Sequence, residues 1–224
     1  MKRFSANILM VGILLWGLAP PANAAEGEAA PADTGYRNDF EALATGKPPK
    51  EFLILQGEFR VIEEEGNKVL ELPGEPLEDY GLLFAKSARE GQVISARFKS
   101  ENVRRTFPTF AVGLFGVSGF KLQVSPAKRA LEILRGGEVR GSAEYKWQSG
   151  SWTHLKLEAR KSGETDWTLS GKAWVEEQEE PKEWMVSIQD AKQPPSGRPS
   201  IWGTPFSGKR ILFDDLRLER LASQ

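Results

Sequence analysis

The chain has 224 residues, of which 30 are Lys or Arg and 31 are Asp or Glu, and it contains no cysteine. This near balance of charge argues against nucleic acid or anionic lipid as the main partner, because both attract strongly basic proteins. Because no disulfide can form, the hydrophobic core alone has to stabilise the fold.

The N-terminus has the three parts of a secretory signal peptide, which we assign to residues 1–24. Lys2 and Arg3 give a positive start, residues 8–19 are apolar, and Ala22-Asn23-Ala24 has the small-x-small pattern that signal peptidases accept. An uncleaved membrane anchor is the alternative, but the apolar run is well short of the ~20 residues that span a bilayer. We therefore expect cleavage after Ala24 and a periplasmic or secreted protein that is not inserted in the membrane.

The segment after the cleavage site, residues 25–35, is rich in Ala, Gly, Pro and acidic residues, and we expect it to be a flexible tether. The folded domain is expected at 36–224, starting near Tyr36. Without Lys2 and Arg3, 28 basic residues stand against 31 acidic ones, which gives a net charge near −3. A length of about 190 residues suffices for one sandwich-sized domain.

From Glu51 onward, short apolar or alternating runs are separated by Gly, Pro, Asn and Ser, and no stretch carries a helical stripe. This pattern is typical of an all-β protein. It predicts twelve strands, near 59–64, 68–72, 81–85, 92–99, 109–117, 119–125, 130–135, 139–146, 152–160, 166–175, 184–189 and 210–219. So many strands are too many for a small barrel and favour two large antiparallel sheets packed face to face.

Two of these strands show which side faces the core. In 152–160, period-2 alternation assigns Leu155, Leu157 and Ala159 to the core. The opposite, solvent face then carries Trp152, His154, Lys156, Glu158 and Arg160. The run 110–117 is apolar on both faces, which predicts a central strand covered from both sides.

Several short motifs follow one another in order along the chain. Residues 38–41, 46–49 and 57–61 give an acidic-aromatic pair, a G-x-P segment and a G-x-F-x-V strand. Residues 152–157 then read W-x-x-L-x-L. The end carries Trp174, Glu180-Pro181, Trp184 and Phe213-Asp214-Asp215-Leu216.

Together these motifs resemble the concanavalin A-like lectin/glucanase jelly rolls, specifically the exported bacterial branch that includes the 3-keto-disaccharide hydrolase domain. The resemblance implies a two-sheet antiparallel jelly-roll sandwich. It also implies a glycan or polysaccharide as the partner.

The resemblance does not by itself imply an enzyme. Laminarinase-type members use an E-x-D-x-E strand, whose alternate carboxylates share one face and act as nucleophile and acid/base. This chain has no such strand, and its acidic runs at 63–65 and 176–180 are typical of solvated surface. We therefore expect a carbohydrate-binding or envelope-associated module. The alternatives are a glycoside hydrolase or lyase similar to the 3-keto-disaccharide hydrolases, and a structural domain whose groove is empty.

Asp214 is the carboxylate whose predicted position most needs an explanation. Strict alternation places it on the same face as Leu212, Leu216 and Leu218, where an unpaired charge is costly. One partner would be a structural calcium ion, with backbone carbonyls and Asp39 as further ligands. The other would be a set of backbone and side-chain donors. Asp214 is therefore the candidate metal ligand, and both alternatives stay open.

Aromatic residues are the next candidates, because a sugar ring stacks on an indole while the indole N–H reaches a hydroxyl. Trp152, Trp174 and Trp184 lie in the family-like motifs, which favours a packing role for them. Trp147 precedes a Gln-Ser-Gly turn and Trp202 lies in the Pro- and Gly-rich segment 193–208, so both are assigned to loops and taken as ligand contacts.

His154 is the only histidine in the chain, and the alternation places it on the solvent face. It is the third candidate ligand contact. In the enzyme alternative, it would act as a general base together with Lys156 and Glu158 on the same face.

Overall fold

A computed structural model describes residues 35–75 and 79–221, together with Met1. The expected signal peptide at 1–24 and the expected tether, apart from Gly35, lie outside the described residues. No helix in the described part of the chain is long and apolar enough to cross a bilayer. The first strand begins at Tyr36.

The described residues form fifteen strands and one short 3-10 helix at Pro126–Lys128. The strands are β1 (Tyr36–Asn38), β2 (Leu53–Gln56), β3 (Arg60–Glu64), β4 (Asn67–Leu72), β5 (Tyr80–Leu83), β6 (Gln92–Lys99), β7 (Thr109–Leu114), β8 (Phe120–Ser125), β9 (Ala130–Arg135), β10 (Glu138–Glu144), β11 (Thr153–Lys161), β12 (Trp167–Val175), β13 (Val186–Asp190), β14 (Ser200–Thr204) and β15 (Ile211–Arg220). All twelve predicted strands are present, and β1, β2 and β14 are additional. The run predicted to continue to 117 ends at Leu114, because Phe115 and Gly116 adopt positive φ values of 66° and 76°.

The strands form two antiparallel sheets, as the sequence predicts. The eight-stranded sheet has the order β13-β12-β11-β6-β15-β4-β3, and β1 pairs with β15. The seven-stranded sheet has the order β10-β9-β8-β7-β14-β5-β2. The central strands of both sheets therefore come from distant parts of the sequence.

The core lies between the two sheets and is rich in phenylalanine. Phe98 of β6 stacks on Phe110 of β7 across the sandwich, with ring centroids 5.0 Å apart, and Phe213 of β15 meets Phe98 edge-on at 5.3 Å. The inward residues of β11, Leu155 and Leu157, are fully buried, which confirms the face assignment for this strand. Burial of such aromatic surface is the main stabilising contribution in a domain without disulfides.

Strand β7 is covered on both sides, as predicted. Val112 and its inward neighbours face the core, whereas Ala111 and Gly113 face outward and lie beside Trp202 of β14. A Cβ atom at Gly113 would lie 2.4 Å from the Ser200 hydroxyl and 3.3 Å from the indole Nε1 of Trp202. The indole of a neighbouring strand therefore covers the outer side of β7.

Candidate functional site

The three ligand contacts predicted from the sequence lie in three separate places. His154 is on the outer face of the eight-stranded sheet, and Trp202 is on the outer face of the seven-stranded sheet. Trp147 lies in the connection between β10 and β11, where it packs edge-on against the core residue Phe110 at 6.1 Å. No single ligand site brings these three residues together.

The assignment of Trp202 to an exposed loop is wrong. Trp202 lies in the central strand β14 and is only 6% exposed. Its ring lies against Gly81, and the ammonium of Lys121 is 3.2 Å from the ring centroid. Lys121 is also paired with Asp79 at 2.9 Å, and burial lowers its pKa. The ring is therefore covered by the protein itself.

Trp147 lies in a loop, as predicted, between β10 and β11. The side chain is only partly exposed, and its Nε1 atom is buried with no hydrogen-bond partner among the described residues. It anchors the β10–β11 connection to the core, which is a common role for a large aromatic residue in a loop.

His154, in contrast, lies within a continuous group of aromatic and charged side chains. Arg97 of β6, His154 of β11 and Trp174 of β12 are directly opposite one another across three neighbouring strands. The His154 and Trp174 rings are stacked, with centroids 4.9 Å apart and an interplanar angle of 7°. The Arg97 guanidinium lies 4.6 Å from the ring centroid of Trp152.

The same outer face continues toward β13. The Lys172 ammonium lies 4.8 Å from the ring centroid of Trp184, in the connection between β12 and β13. Glu180 of that connection bridges Lys156 at 2.9 Å and Lys172 at 2.7 Å. Burial raises the pKa of Glu180, but hydrogen bonds from the two lysines hold it below its usual value overall. The acidic β12–β13 connection is thus fixed to a basic part of the sheet.

We call this surface the tryptophan face and define it by Trp152, His154, Trp174 and Trp184. All four side chains are partly exposed. The sequence favoured a packing role for the three tryptophans, but they lie on the solvent side of the eight-stranded sheet. A signal was available for Trp174, because alternation puts it on the same side as Lys172, and Lys172 is unsuited to a core.

The pKa of His154 is lowered, and the main cause is burial of its ring. The imidazole is therefore neutral at neutral pH, with one nitrogen able to donate and the other able to accept a hydrogen bond. Two other charged residues of the strand are already paired: Lys156 with Glu180, and Glu158 with Arg160 at 2.9 Å. His154 is thus the one titratable group of the β11 outer face without an ion pair in the described part of the chain.

Asp214 departs from the predicted alternation because the strand contains a β-bulge. Asp215 has a φ of 51°, and the pairing of β15 with β6 shifts in register between Asp214 and Arg217. The bulge sends Leu216 and Leu218 into the core and leaves Asp214 on the outer side, opposite Arg97. The assignment of Asp214 to the same face as Leu216 and Leu218 is therefore wrong.

The partners of Asp214 are hydrogen-bond donors, as in the second alternative from the sequence. Its Oδ2 accepts from Arg97 at 2.6 Å and from Asn67 at 2.8 Å, and its Oδ1 accepts from the Asp215 backbone N–H at 2.7 Å. Burial raises the pKa of Asp214 in spite of these bonds. The described residues contain no group of three or more His, Cys, Asp or Glu that could hold a metal. A guanidinium and an amide beside the carboxylate do not fit a calcium site, which requires several oxygen ligands.

Comparison with known proteins identifies the fold. No family model and no curated protein matches the sequence. Among solved structures, the carbohydrate-binding module CBM66 from Bacillus subtilis is 11% identical with a TM-score of 0.53, and the match covers 75% of this chain and 95% of the module. A Bacillus subtilis protein of unknown function with a galectin-like fold is 11% identical with a TM-score of 0.56, covering 84% and 96% of the two chains.

A third match is the exoplasmic/lumenal domain of VIP36 in its Ca2+/Man3GlcNAc-bound form. It is 11% identical with a TM-score of 0.52, and the match covers 78% of this chain and 85% of that one. Identities this low establish a shared architecture only, and none of the three supports the narrower likeness to 3-keto-disaccharide hydrolases. The chain therefore has the concanavalin A-like jelly-roll fold that its motifs predict.

Proposed function

We propose that this chain is an exported carbohydrate-binding module that holds a glycan on the tryptophan face. The observation that carries the proposal is the row of partly exposed aromatic side chains, each beside a basic or imidazole group, on the outside of one sheet. The fold supports it, because structures with this architecture include a carbohydrate-binding module and a glycan-bound lumenal domain.

Aromatic faces suit sugars because the C–H surface of the ring packs as apolar area, while surrounding polar groups bond to the hydroxyls. The tryptophan face supplies both. Lys156, Lys172 and Glu180 provide charged donors and acceptors, and the Ser170 and Ser187 hydroxyls, 2.9 Å apart, add neutral ones.

Rigidity is the second argument for this face. Trp174 is stacked on His154, Trp152 is covered by Arg97, and Arg97 is held in turn by Glu176 and Asp214. Because these side chains are ordered before a ligand arrives, binding would cost less conformational entropy than at a mobile loop. The proposal keeps His154 from the sequence prediction. It does not require Trp147, which packs on Phe110 away from this face, or Trp202, whose ring is buried.

The deciding experiment is a glycan array with the purified protein, run with and without calcium, followed by titration of the best glycan. Trp174→Ala and His154→Ala are expected to weaken binding by at least about fivefold, since loss of an aromatic stacking partner removes about 1–3 kcal/mol. Trp202→Phe is the matched control on the other sheet and is expected to leave affinity unchanged. Absence of binding to every glycan, or binding indifferent to Trp174→Ala and His154→Ala, would refute the proposal.

Export and the absence of turnover are separate parts of the proposal. N-terminal sequencing of the protein from the producing cell is expected to begin at Ala25, after the signal peptide at 1–24. Incubation with oligosaccharides and oxidised disaccharides is expected to release no product. Product release that disappears in His154→Ala would instead support the hydrolase or lyase alternative.

A further inference from the structure

A cavity of about 560 Å³ lies at one end of the sandwich, away from the tryptophan face. It lies where β6 begins, β11 ends and β12 begins, and the chain after β15 closes one side. We call it the end cavity and define it by Arg89, Glu90, Lys161, Trp167 and Leu221. Its volume lies in the range that holds small ligands in proteins.

The lining of the end cavity is more basic than the rest of the chain. It carries Arg89, Arg160 and Lys161 against a single acid, Glu90, whereas the whole chain has a net charge of −1. Arg160 is paired with Glu158, but Arg89 and Lys161 are exposed and have no ion pair within the residues that the structure describes. These two cationic side chains are therefore free to form ion pairs with an anionic ligand.

The one acidic residue of the cavity lining, Glu90, is hydrogen-bonded to the backbone. The Glu90 carboxylate accepts a hydrogen bond from the Arg89 N–H at 3.1 Å. Hydrogen bonds from the backbone N–H groups of Glu90 and Arg89 hold the pKa of Glu90 below its usual value. Glu90 therefore shapes the turn before β6 and does not neutralise the Arg89 and Lys161 side chains by ion pairing.

The buried wall of the cavity contains polar atoms that lack partners. Trp167 lines the cavity and is 2% exposed, and its Nε1 donor has no acceptor among the described residues. Gln92, fully buried beside the lining residue Gly91, bonds through Nε2 to the Glu90 carbonyl, while its Oε1 has no donor. Buried polar groups are nearly always satisfied, so these two atoms beside the cavity are a donor and an acceptor that a water or a ligand there would satisfy.

We propose that the end cavity binds an acidic sugar, a uronic acid unit of a glycan. The carboxylate meets Arg89 and Lys161, the apolar face of the ring lies along Leu221 above the buried edge of Trp167, and the hydroxyls bond to Ser162 and Gln193 of the lining. The class of ligand rests on the proposed function, but the place and the charge preference rest on the cavity alone. The chain would then hold one glycan at two separate points.

The test compares trigalacturonic acid with maltotriose, a neutral trimer of similar size, by calorimetry and by ¹H–¹⁵N spectra of the purified protein. We expect the acidic trimer to bind and to shift the indole Nε1–H signal of Trp167, which is assigned by its loss in Trp167→Phe. Maltotriose is expected to leave this signal unchanged. An equal shift by sodium sulfate at the same concentration would overturn the assignment to a sugar.

Variants with matched charge separate a specific site from general attraction. Arg89→Gln/Lys161→Gln is expected to weaken trigalacturonic acid binding about tenfold, and Glu90→Gln to strengthen it about threefold. The control Arg105→Gln/Lys146→Gln removes the same charge from exposed residues at the opposite end, where Gly150 bonds to Ser100 after β6. It is expected to change the affinity by less than about twofold. Equal effects of the two double variants would refute the proposal.

The two proposals fail in distinguishable ways. Trp174→Ala is expected to leave the binding of trigalacturonic acid intact. If neutral glycans bind the tryptophan face while the acidic trimer does not shift Trp167, the end cavity proposal is wrong and the proposed function stands. If only the acidic trimer binds, and Trp174→Ala does not affect it, the proposed glycan site on the tryptophan face is wrong and the proposed site in the end cavity is supported.

Discussion

Arg97 and Asp214 form a 2.6 Å ion pair between adjacent strands, and the carboxylate is only 1% exposed. The same guanidinium contacts Glu176 at 2.7 Å and lies over Trp152. One arginine therefore neutralises a buried acid and positions an aromatic ring of the tryptophan face.

Arg97→Met is expected to destabilise the protein by ~3–5 kcal/mol, because it leaves the Asp214 carboxylate buried with neutral partners only. Urea denaturation at neutral pH measures this change. The double variant Arg97→Met/Asp214→Asn is expected to recover most of the loss, since it removes the uncompensated charge. Arg217→Met, which breaks the exposed pair with Asp215 at 3.2 Å, is the control and is expected to cost less than ~1 kcal/mol. A loss of similar size in both single variants would contradict this account.

The lowered pKa of His154 predicts a specific pH dependence of stability. A histidine whose pKa is lower in the folded state binds fewer protons when folded, so folding becomes less favourable as the pH falls from its unfolded value of about 6.5 toward the folded pKa. We expect the wild type to lose stability between pH 7.5 and pH 5 relative to His154→Gln. Denaturation curves of both proteins at several pH values measure the difference. An NMR titration of the single histidine gives its pKa directly, and a value above 6.5 would contradict the prediction.

The contact between Gly81 and Trp202 predicts a second effect on stability. A Cβ at Gly81 would lie 2.5 Å from the Trp202 ring, so Gly81→Ala forces the ring to move and is expected to cost ~1–3 kcal/mol. In a Trp202→Ala background, the same substitution is expected to cost much less. The coupling between the two sites is obtained from the double-mutant cycle. Additive losses would show that the ring does not rest on Gly81.

Calcium is expected to leave the thermal stability unchanged. Any ligand that binds only the folded state raises Tm in proportion to the logarithm of its concentration, so a structural calcium site would be visible in a titration. Because Asp214 already accepts from Arg97, Asn67 and a backbone N–H, we expect equal Tm values in calcium and in EDTA. A rise in Tm with calcium that disappears in Asp214→Asn would restore the metal alternative.

Much of the fold could be predicted from the sequence because most strands are long enough to show their pattern. The alternation in β11 gives its faces and places each limit within one residue, and Leu155 and Leu157 are buried as expected. Strands β1, β2 and β14 have three to five residues, too few for a period of two to be visible. In β14, both Ile201 and Trp202 are buried, so this strand has no alternation to detect.

The site could be predicted less well, since it depends on contacts between strands. The position of His154 follows from its own strand, but its stacking on Trp174 follows from the register of β11 with β12. The outward position of Asp214 depends on the bulge at Asp215, and an aspartate at positive φ leaves no sequence signal as clear as a glycine would. Trp202 is hidden from solvent by Lys121, which lies far from it in the sequence.

The place of Arg97 has a consequence for how this surface could be altered. Residues such as His154 and Trp174 sit on the outside of a fully packed sheet, so their side chains can be exchanged for others to reach new ligands while the architecture persists. Arg97 cannot be exchanged in the same way, because the buried Asp214 depends on it. A library of variants with new ligand specificity should therefore vary the aromatic residues and keep Arg97, so that each variant still folds.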